Sequence, residues 1–195
     1  MTEDCEINKL RFSVQVYHIE YHISDLDLER QVIMPTIRNQ KELEKVLKQY
    51  MQKALKETQQ KVYDVIDASI NQYYDEYDPL VYKRQYLFLE SLVHTDINQN
   101  GRSCECEVKI DERYLNYQYP GSSDSEFENI PATGYDVVKW ANRENTGWGH
   151  GNHGYTVNAG RDDGFWNIAM QDLGDTPGLI RLFKENLIKA GLPIK

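Results

Sequence analysis

The longest segment of the chain without glycine or proline runs from Ile37 to Tyr77. Residues with good helix propensity dominate it, whereas glycine and proline are the residues that most disfavour a helix interior. Apolar residues recur through it at spacings of three and four, the period of one helix face. They include Leu43, Val46, Leu47, Tyr50, Met51, Ala54, Leu55, Val62, Val65, Ile66, Ile70 and Tyr73. The segment therefore predicts one amphipathic helix of about 60 Å, at a rise of 1.5 Å per residue.

A helix of this length is large for a chain of 195 residues. A single domain of that size would not cover all of its apolar face, so we expect part of the face to pack against another subunit. The residues expected at this subunit interface are Leu43, Leu47, Tyr50, Met51, Tyr73, Tyr77, Tyr82 and Arg84.

A second face of the predicted helix is basic. On a helical wheel it groups Arg38, Lys41, Lys45, Lys48 and Lys56 opposite the early apolar stripe. The simplest interpretation is a solvated face. The alternative is a surface that meets an acidic partner, or DNA along Arg38, Lys41, Lys45 and Lys48.

The rest of the chain alternates between strand and helix patterns. Residues 10–23 predict a strand, and residues 104–110 predict a half-buried strand after the turn signal Asn100-Gly101. Helical spacing resumes after Asp78-Pro79 and continues to Leu92. Two further helical segments lie near the carboxyl end of the sequence. The last of them begins at Thr176-Pro177 and ends at Gly191. We therefore expect an α+β fold in which one long helix and shorter helices pack on a small antiparallel sheet.

This pattern suggests a division of the chain into two parts. Residues 1–35 form an amino-terminal section that contains a strand, and residues 36–195 form a single α+β domain. Two polar, glycine-containing loops, at about 118–134 and 145–163, belong to the second part, and loops of this length often carry function.

Two histidines lie in the glycine-rich run WGHGNHGY, at His150 and His153. Zinc sites need at least three protein ligands on a supported scaffold, and glycine favours no helix here that would fix the spacing of the two imidazoles. We therefore interpret the run as a flexible or subunit-contacting loop, and a metal site as the alternative. Two other patterns, His18-Glu20-His22 and Cys104-Glu105-Cys106, are interpreted as a polar strand face and small core residues.

Composition narrows the class of protein. The net charge of −9 argues against a general nucleic-acid binder, and no apolar run reaches the roughly 20 residues that span a bilayer. Three cysteines and the amino-terminal sequence MTEDCEINKL predict synthesis in a reducing cytoplasm. Phosphate-cradling loops and nucleophile elbows are missing from the sequence, so we expect no enzyme activity, no catalytic residues and no cofactor.

The segment YYDEYDPLVYKRQYLFLESL, at residues 73–92, carries a recognisable pattern. A long helix is followed by Tyr-x-Pro-x-x-Tyr-x-Arg and a short helix ending in Leu-x-x-Ser-Leu, at Tyr77, Pro79, Tyr82, Arg84, Leu89, Ser91 and Leu92. Together with the carboxyl-terminal helices, this segment resembles the head–tail joining and tail-completion proteins of long-tailed bacteriophages, over residues 40–195. Residues 1–35 depart from that pattern.

The resemblance implies a virion structural protein of the head–tail connector, or neck, which forms a homo-oligomeric ring between the capsid portal and the tail. Its expected partners are copies of itself and neighbouring neck, portal or tail-tube proteins. One alternative is a phage-encoded accessory or inhibitor protein that binds a host factor through an acidic surface. A second alternative is a metal-dependent hydrolase that uses His150 and His153.

Overall fold

The computed structural model describes residues 9–15, 39–75, 86–115, 118–119, 132–133 and 164–192. The helices are α1 (Gln40–Asp75), α2 (Leu87–Glu90), α3 (Phe165–Asp172) and α4 (Asp175–Ala190), with a 3-10 helix at Glu112–Leu115. The strands are β1 (Lys9–Gln15), β2 (Leu92–His94), β3 (Asn98–Asn100), β4 (Ser103–Ile110), β5 (Gln118–Tyr119) and β6 (Ala132–Thr133). The predicted α+β class is confirmed. Within the described ranges, no helix is long and apolar enough to cross a membrane.

Helix α1 confirms the prediction made from the segment free of glycine and proline. It extends for 36 residues, and the Asn39 side chain begins it by accepting a hydrogen bond from the Glu42 backbone N–H at 3.0 Å. An asparagine in this position satisfies one of the backbone donors that a helix start leaves without a partner.

The buried face of α1 is the centre of the core. Its carboxyl-terminal half, through Val62, Ile66 and Ile70, packs with residues of α2, β2, β4 and α3. Its amino-terminal half meets α4 through Met51 and Ala54, which contact Leu187. The apolar face of the helix is therefore covered by elements of its own chain from both ends of the sequence.

Strand β4 is the central strand of the main sheet. It pairs antiparallel with β1 on one side and with β2 and β3 on the other. The side chains of Cys104, Cys106, Val108 and Ile110 are buried in the core, and the intervening residues are half-buried. This alternation confirms the predicted half-buried strand, and the turn at Gly101 (φ +56°) joins β3 to β4 as the sequence indicated.

Between β2 and β3 the chain leaves the regular ladder at residues 95–97. A side chain of α1 completes the hydrogen bonding there. The Gln59 amide donates to the Thr95 carbonyl at 2.8 Å and to the Glu107 carbonyl at 3.1 Å. The Glu107 N–H donates to the Thr95 hydroxyl at 2.9 Å. The long helix is thus hydrogen-bonded to the middle of the sheet as well as packed on it.

Strand β1 lies in the predicted amino-terminal section of residues 1–35, yet it is part of the main sheet. All seven of its residues pair with β4, from Lys9 opposite Lys109 to Gln15 opposite Ser103. Leu10 and Phe12 pack against the core. A boundary at residue 35 therefore separates two strands of one sheet. The part of the predicted strand beyond Gln15 lies outside the described residues.

One local prediction is wrong. The helical spacing expected to continue through Leu92 ends at Glu90, and Leu92 begins β2. The Ser91 hydroxyl donates to the Phe88 carbonyl, and the Ser91 carbonyl accepts from Asp111 N–H, so the chain turns toward β4. After Ile110 the chain leaves the sheet and forms the 3-10 helix.

Helices α3 and α4 confirm the predicted helical tail, but the start of the last helix differs. It begins at Asp175 after Gly174, which has φ +74°, and not with a side-chain cap at Thr176. Its end is as predicted: Gly191 has φ +108°, its N–H bonds Ile188 O, and Leu192 N–H bonds Leu187 O. This is the paired hydrogen-bond pattern that satisfies the last carbonyls of a helix.

One buried polar contact joins the two longest helices. The Thr58 hydroxyl donates to the Ala54 carbonyl at 2.8 Å, and it accepts a hydrogen bond from the Asn186 amide at 3.1 Å. Thr58 is 0% exposed and Asn186 is 5% exposed. Each buried polar group therefore has a partner, and the pair fixes the register of α4 along α1.

We predict that Asn186→Ala lowers the free energy of unfolding by about 1–2 kcal/mol, because it removes a buried hydrogen bond between helices. Asn167→Ala, at an exposed position of α3, should change it by less than about 0.5 kcal/mol. Urea denaturation followed by circular dichroism measures both. Equal losses in the two variants would show that the bond to Thr58 contributes nothing specific.

The turn between α3 and α4 makes a second prediction possible. A Cβ on Gly178 would lie 1.9 Å from the Leu173 carbonyl oxygen, which is backbone and has little room to move. Gly178→Ala should therefore destabilise the fold by about 3 kcal/mol or more. Gly101→Ala meets no atom within 4 Å, so it should cost only the roughly 1–2 kcal/mol of a left-handed backbone. Thermal unfolding of both variants would reveal the order, and a milder effect at Gly178 would contradict the packing of this turn.

Candidate interaction surface

The histidines of the glycine-rich run, His150 and His153, lie outside the described residues, as does the loop at about 145–163. Of the loop at about 118–134, the structure describes the two ends, where β5 and β6 pair with each other. Across the described ranges, no group of three or more His, Cys, Asp or Glu side chains could hold a metal ion.

The two cysteines of the Cys-x-Cys pattern are core residues, as predicted. Cys104 and Cys106 are 0% and 2% exposed, and they contact Leu55 of α1. Burial raises the pKa of the Cys106 thiol to about 12, and the neighbouring Glu107 and Cys104 add to the effect. A cysteine binds a metal or acts as a nucleophile only as the thiolate. Because burial keeps the Cys106 thiol protonated, it is suited to neither role.

The residues expected at a subunit interface divide into three groups. Leu47, Met51 and Tyr73 are buried within their own chain, at 5%, 6% and 7% exposure, so their side chains are core residues and not surface for a second copy. Leu43 and Tyr50 are half-buried, and the Tyr50 ring covers Gly191 at the end of α4. The other three, Tyr77, Tyr82 and Arg84, lie outside the described residues.

The basic face predicted for α1 is at the surface. Lys41, Lys45 and Lys56 are exposed and Lys48 is half-buried, whereas Arg38 lies outside the described residues. Arg102, from the turn after β3, reaches the same end of the helix and pairs with Glu44 at 2.9 Å. Cationic side chains therefore dominate the amino-terminal half of α1.

Two large apolar side chains point outward from α4. Ile180 is 52% exposed and Ile188 is 50% exposed. They are eight residues apart, which places them about 12 Å apart along one side of the helix, with exposed Lys184 midway between them. Elsewhere on the same helix, Asn186 and Leu187 are buried. Ile180 and Ile188 are the two large hydrophobic residues of the described α-helices that are exposed.

One exposed aromatic residue, Tyr86, lies at the carboxyl end of α1, against the half-buried Tyr74. Tyr86 is 48% exposed, and its ring centre is 5.0 Å from that of Tyr74. Its backbone has φ +58°, a left-handed conformation that is uncommon for a residue other than glycine. Tyr86 follows directly on the segment that carries the Tyr-x-Pro-x-x-Tyr-x-Arg motif.

The outer face of the sheet is polar and internally paired. Glu107 of β4 accepts from Lys9 at 3.3 Å and from Arg11 at 2.8 Å, both on β1. Burial raises the pKa of Glu107, but the hydrogen bonds from Arg11 and Lys9 outweigh it, so the pKa lies below its ordinary value. The Glu107 carboxylate is therefore paired within the sheet.

At the end of β4, Asp111 forms a local ion pair. Its carboxylate accepts from the Arg113 backbone N–H at 3.0 Å and from Arg113 Nε at 2.9 Å. The hydrogen bond from the Arg113 side chain lowers the Asp111 pKa from 3.8 to about 2, against a smaller opposing effect of burial. The pair holds the turn into the 3-10 helix.

The Asp111 pair predicts a pH dependence of stability. Since its folded pKa is depressed, the carboxylate stabilises the fold above pH 4, and that contribution is lost as the pH falls from about 4 toward 2. The contribution is small, because Arg113 is largely exposed and its charge is screened by solvent. Asp111→Asn keeps a side-chain acceptor for Arg113 but does not titrate. The difference in unfolding free energy between the two proteins should shrink over this range, and a constant difference would contradict the assignment.

The exposure of Ile180 and Ile188 was not predicted, because an isoleucine in a helical segment is first assigned to the core. Position gave no signal for Ile180, because it lies seven residues before Leu187 and so falls within about 20° of it around the helix. The Thr58–Asn186 pair was also missed, since no local pattern connects two residues so far apart in sequence.

The chain matches a known protein family. A family model described as YomN matches residues 39–189, which run from the start of α1 to the last turn of α4. No curated protein and no solved structure is detectably similar to the chain. The matched region covers well over half of the sequence and includes α1, β2 to β4 and α3, but not β1. The chain therefore belongs to the YomN family, a Bacillus prophage-type family, and is a phage-related protein.

Proposed function

We propose that the chain is a structural protein of the head–tail connector, or neck, or of the tail-completion region of a long-tailed phage. In this proposal its copies form a ring between the capsid portal and the tail, and it catalyses no reaction. The observation that carries the proposal is the outward pair Ile180 and Ile188 on the last helix of a chain from a prophage-type family.

Each of these isoleucines leaves about half of its side chain in water. Covering that surface with another protein is favourable, by roughly 1 kcal/mol for each side chain. Lys184 between them allows a polar contact at the centre of the same surface, an arrangement common at interfaces between folded proteins. The outward side of α4 is therefore the proposed contact with a neighbouring neck, portal or tail-tube protein.

The fold supports a role as a building block. Because the apolar face of α1 is covered within its own chain, the protein has a core before it meets any partner. Assembly then joins preformed surfaces, as in complexes whose partners change little on binding. Under this proposal the protein is made in the host cytoplasm and ends in the virion.

Particle assembly tests the proposal. After induction of a prophage that lacks this gene, we expect DNA-filled heads and separate tails, because the two halves of the virion cannot be joined. Electron microscopy of the lysate shows the two populations, and mass spectrometry of wild-type particles should find the chain in mature virions. Normal infectious particles, or virions without the chain, would contradict the proposed role.

Complementation of the deleted prophage by variants is part of the same test. A chain with Ile180→Asp and Ile188→Asp should fold, as judged by circular dichroism. Its yield of infectious particles should be lower than that of the wild-type chain by a factor of about ten or more. Asn167→Asp, which also places a carboxylate at an exposed helical position, is the matched control and should restore wild-type numbers. Full rescue by the double variant would exclude this side of α4 from the assembly contact.

A further inference from the structure

The exposed side of α1 carries a stripe of polar residues along most of its length. Their spacing is four, four and three, repeated, which gives 3.67 residues per turn and keeps the stripe nearly parallel to the helix axis. We define the α1 stripe as Lys45, Gln49, Lys53, Lys56, Gln60, Asp64, Asp67, Asn71 and Asp75. All of its members are exposed except Asp67, which is half-buried.

The charges of the α1 stripe are segregated. Its three lysines precede Gln60 and its three aspartates follow it. A helix N-terminus carries partial positive charge and its C-terminus partial negative charge, so this order is the reverse of the one that stabilises a helix. Helix α4 follows the stabilising order, with Asp175 in its first turn and Lys189 in its last. Of the stripe, only Asp75 lies in a terminal turn of α1, and there its carboxylate meets the negative end of the helix dipole, so it does not stabilise the helix.

The charged residues of the α1 stripe form no ion pairs within the described part of the chain. Asp64 accepts from Gln60 at 2.8 Å, and Asp67 accepts from Asn71 at 3.0 Å, which are neutral partners on the same helix. Full charges of both signs are left facing solvent.

The order of residues in the stripe is self-complementary. If a second α1 is laid antiparallel on the first with the twofold axis at Gln60, Lys56 meets Asp64, Lys53 meets Asp67, and Lys45 meets Asp75. Gln49 meets Asn71, and Gln60 meets its own symmetry mate. Every charged residue of the stripe then faces one of opposite sign, and every amide faces an amide.

We propose that the α1 stripe binds a second copy of this chain, in an antiparallel pair of α1 helices related by a twofold axis through Gln60. Six Lys–Asp pairs form across such a contact, three on each side of the axis. An isologous contact of this kind uses the same surface on both copies, and charge complementarity sets its register. Parallel helices in the same register would place like charges together, so the pattern selects the antiparallel arrangement.

The neighbouring helix does not extend the charge segregation. Because α4 packs antiparallel on α1, its carboxyl end with Lys189 lies beside the basic half, near Tyr50. Beside the acidic half, the groove that Asp64 lines contains charges of both signs, from Lys61, Asp172, Arg181 and Glu185. The segregation of charge is therefore a property of the α1 stripe and not of the surface around it.

Charge reversal on the purified full chain tests the pairing. Wild-type protein should be a dimer by sedimentation velocity at about 0.05 M salt, and its dissociation constant should rise about tenfold or more at about 0.5 M salt, because exposed ion pairs are screened. The lysine variant carries Lys45→Glu, Lys53→Glu and Lys56→Glu, and the aspartate variant carries Asp64→Lys, Asp67→Lys and Asp75→Lys. Each variant alone should be monomeric, and an equimolar mixture of the two should form a heterodimer. A chain with all six substitutions should dimerise again.

Cysteine cross-linking tests the position of the axis. In a Cys5→Ser background, Gln60→Cys should give a disulfide-linked dimer under mild oxidation. Gln49→Cys alone should not, since its two copies would be about 33 Å apart along the helices. A mixture of Gln49→Cys and Asn71→Cys chains should cross-link to each other.

Three results would overturn the inference. Wild-type protein that is monomeric at about 0.05 M salt, with no association of the mixed variants, would exclude the pairing. A dimer that persists in both variants would place the contact on another surface. Retention of duplex DNA by wild-type monomer but not by the lysine variant would assign the basic half to nucleic acid. The inference does not depend on the proposed function, because the purified protein can dimerise whether or not particles need it.

Discussion

The fold depends on one constraint: a helix of 36 residues has a continuous apolar face that must be kept from water. The chain meets this need with elements drawn from both sides of α1 in the sequence. The sheet covers one flank of the face, and the helices α3 and α4 cover the other. Two buried amides, Gln59 toward the sheet and Asn186 toward α1, then fix how these layers are aligned. The apolar face gives the affinity between layers, and the amides give the register.

Local patterns were sufficient for the parts of the fold with strong periodicity. Helix α1, the alternating strand β4 and the end of α4 at Gly191 are visible in the sequence because their neighbours along the chain determine them. The failures share a physical cause. Leu92 becomes a strand residue because β4 pairs with it, and Met51 is covered by its own chain because α4 returns to it from more than a hundred residues away. A linear pattern contains no information on such encounters.

The candidate surfaces show the same division. The basic residues of α1 were evident in the sequence, but only their exposure separates those that remain available, such as Lys45, from those that are partly covered, such as Lys48. Isoleucine is typical of a protein core, but Ile180 and Ile188 are half exposed. Only the fold shows that these two residues lie at the surface. Family membership identifies a phage-related protein but not the surface that binds a partner. The candidate surfaces are therefore compared by their exposure, charge and apolar content.

The place of β1 has a consequence for how the molecule is made. Arg11 and Glu107, which meet across the β1–β4 ladder, are 96 residues apart in sequence. Closing so long a loop costs entropy, and until β1 pairs with β4 one flank of the β4 backbone has no strand partner. During that interval an unpaired flank can accept a strand from any chain, including another copy's amino-terminal segment. Exchange of β1 between newly made copies is therefore a route to entangled oligomers, favoured at high rates of synthesis.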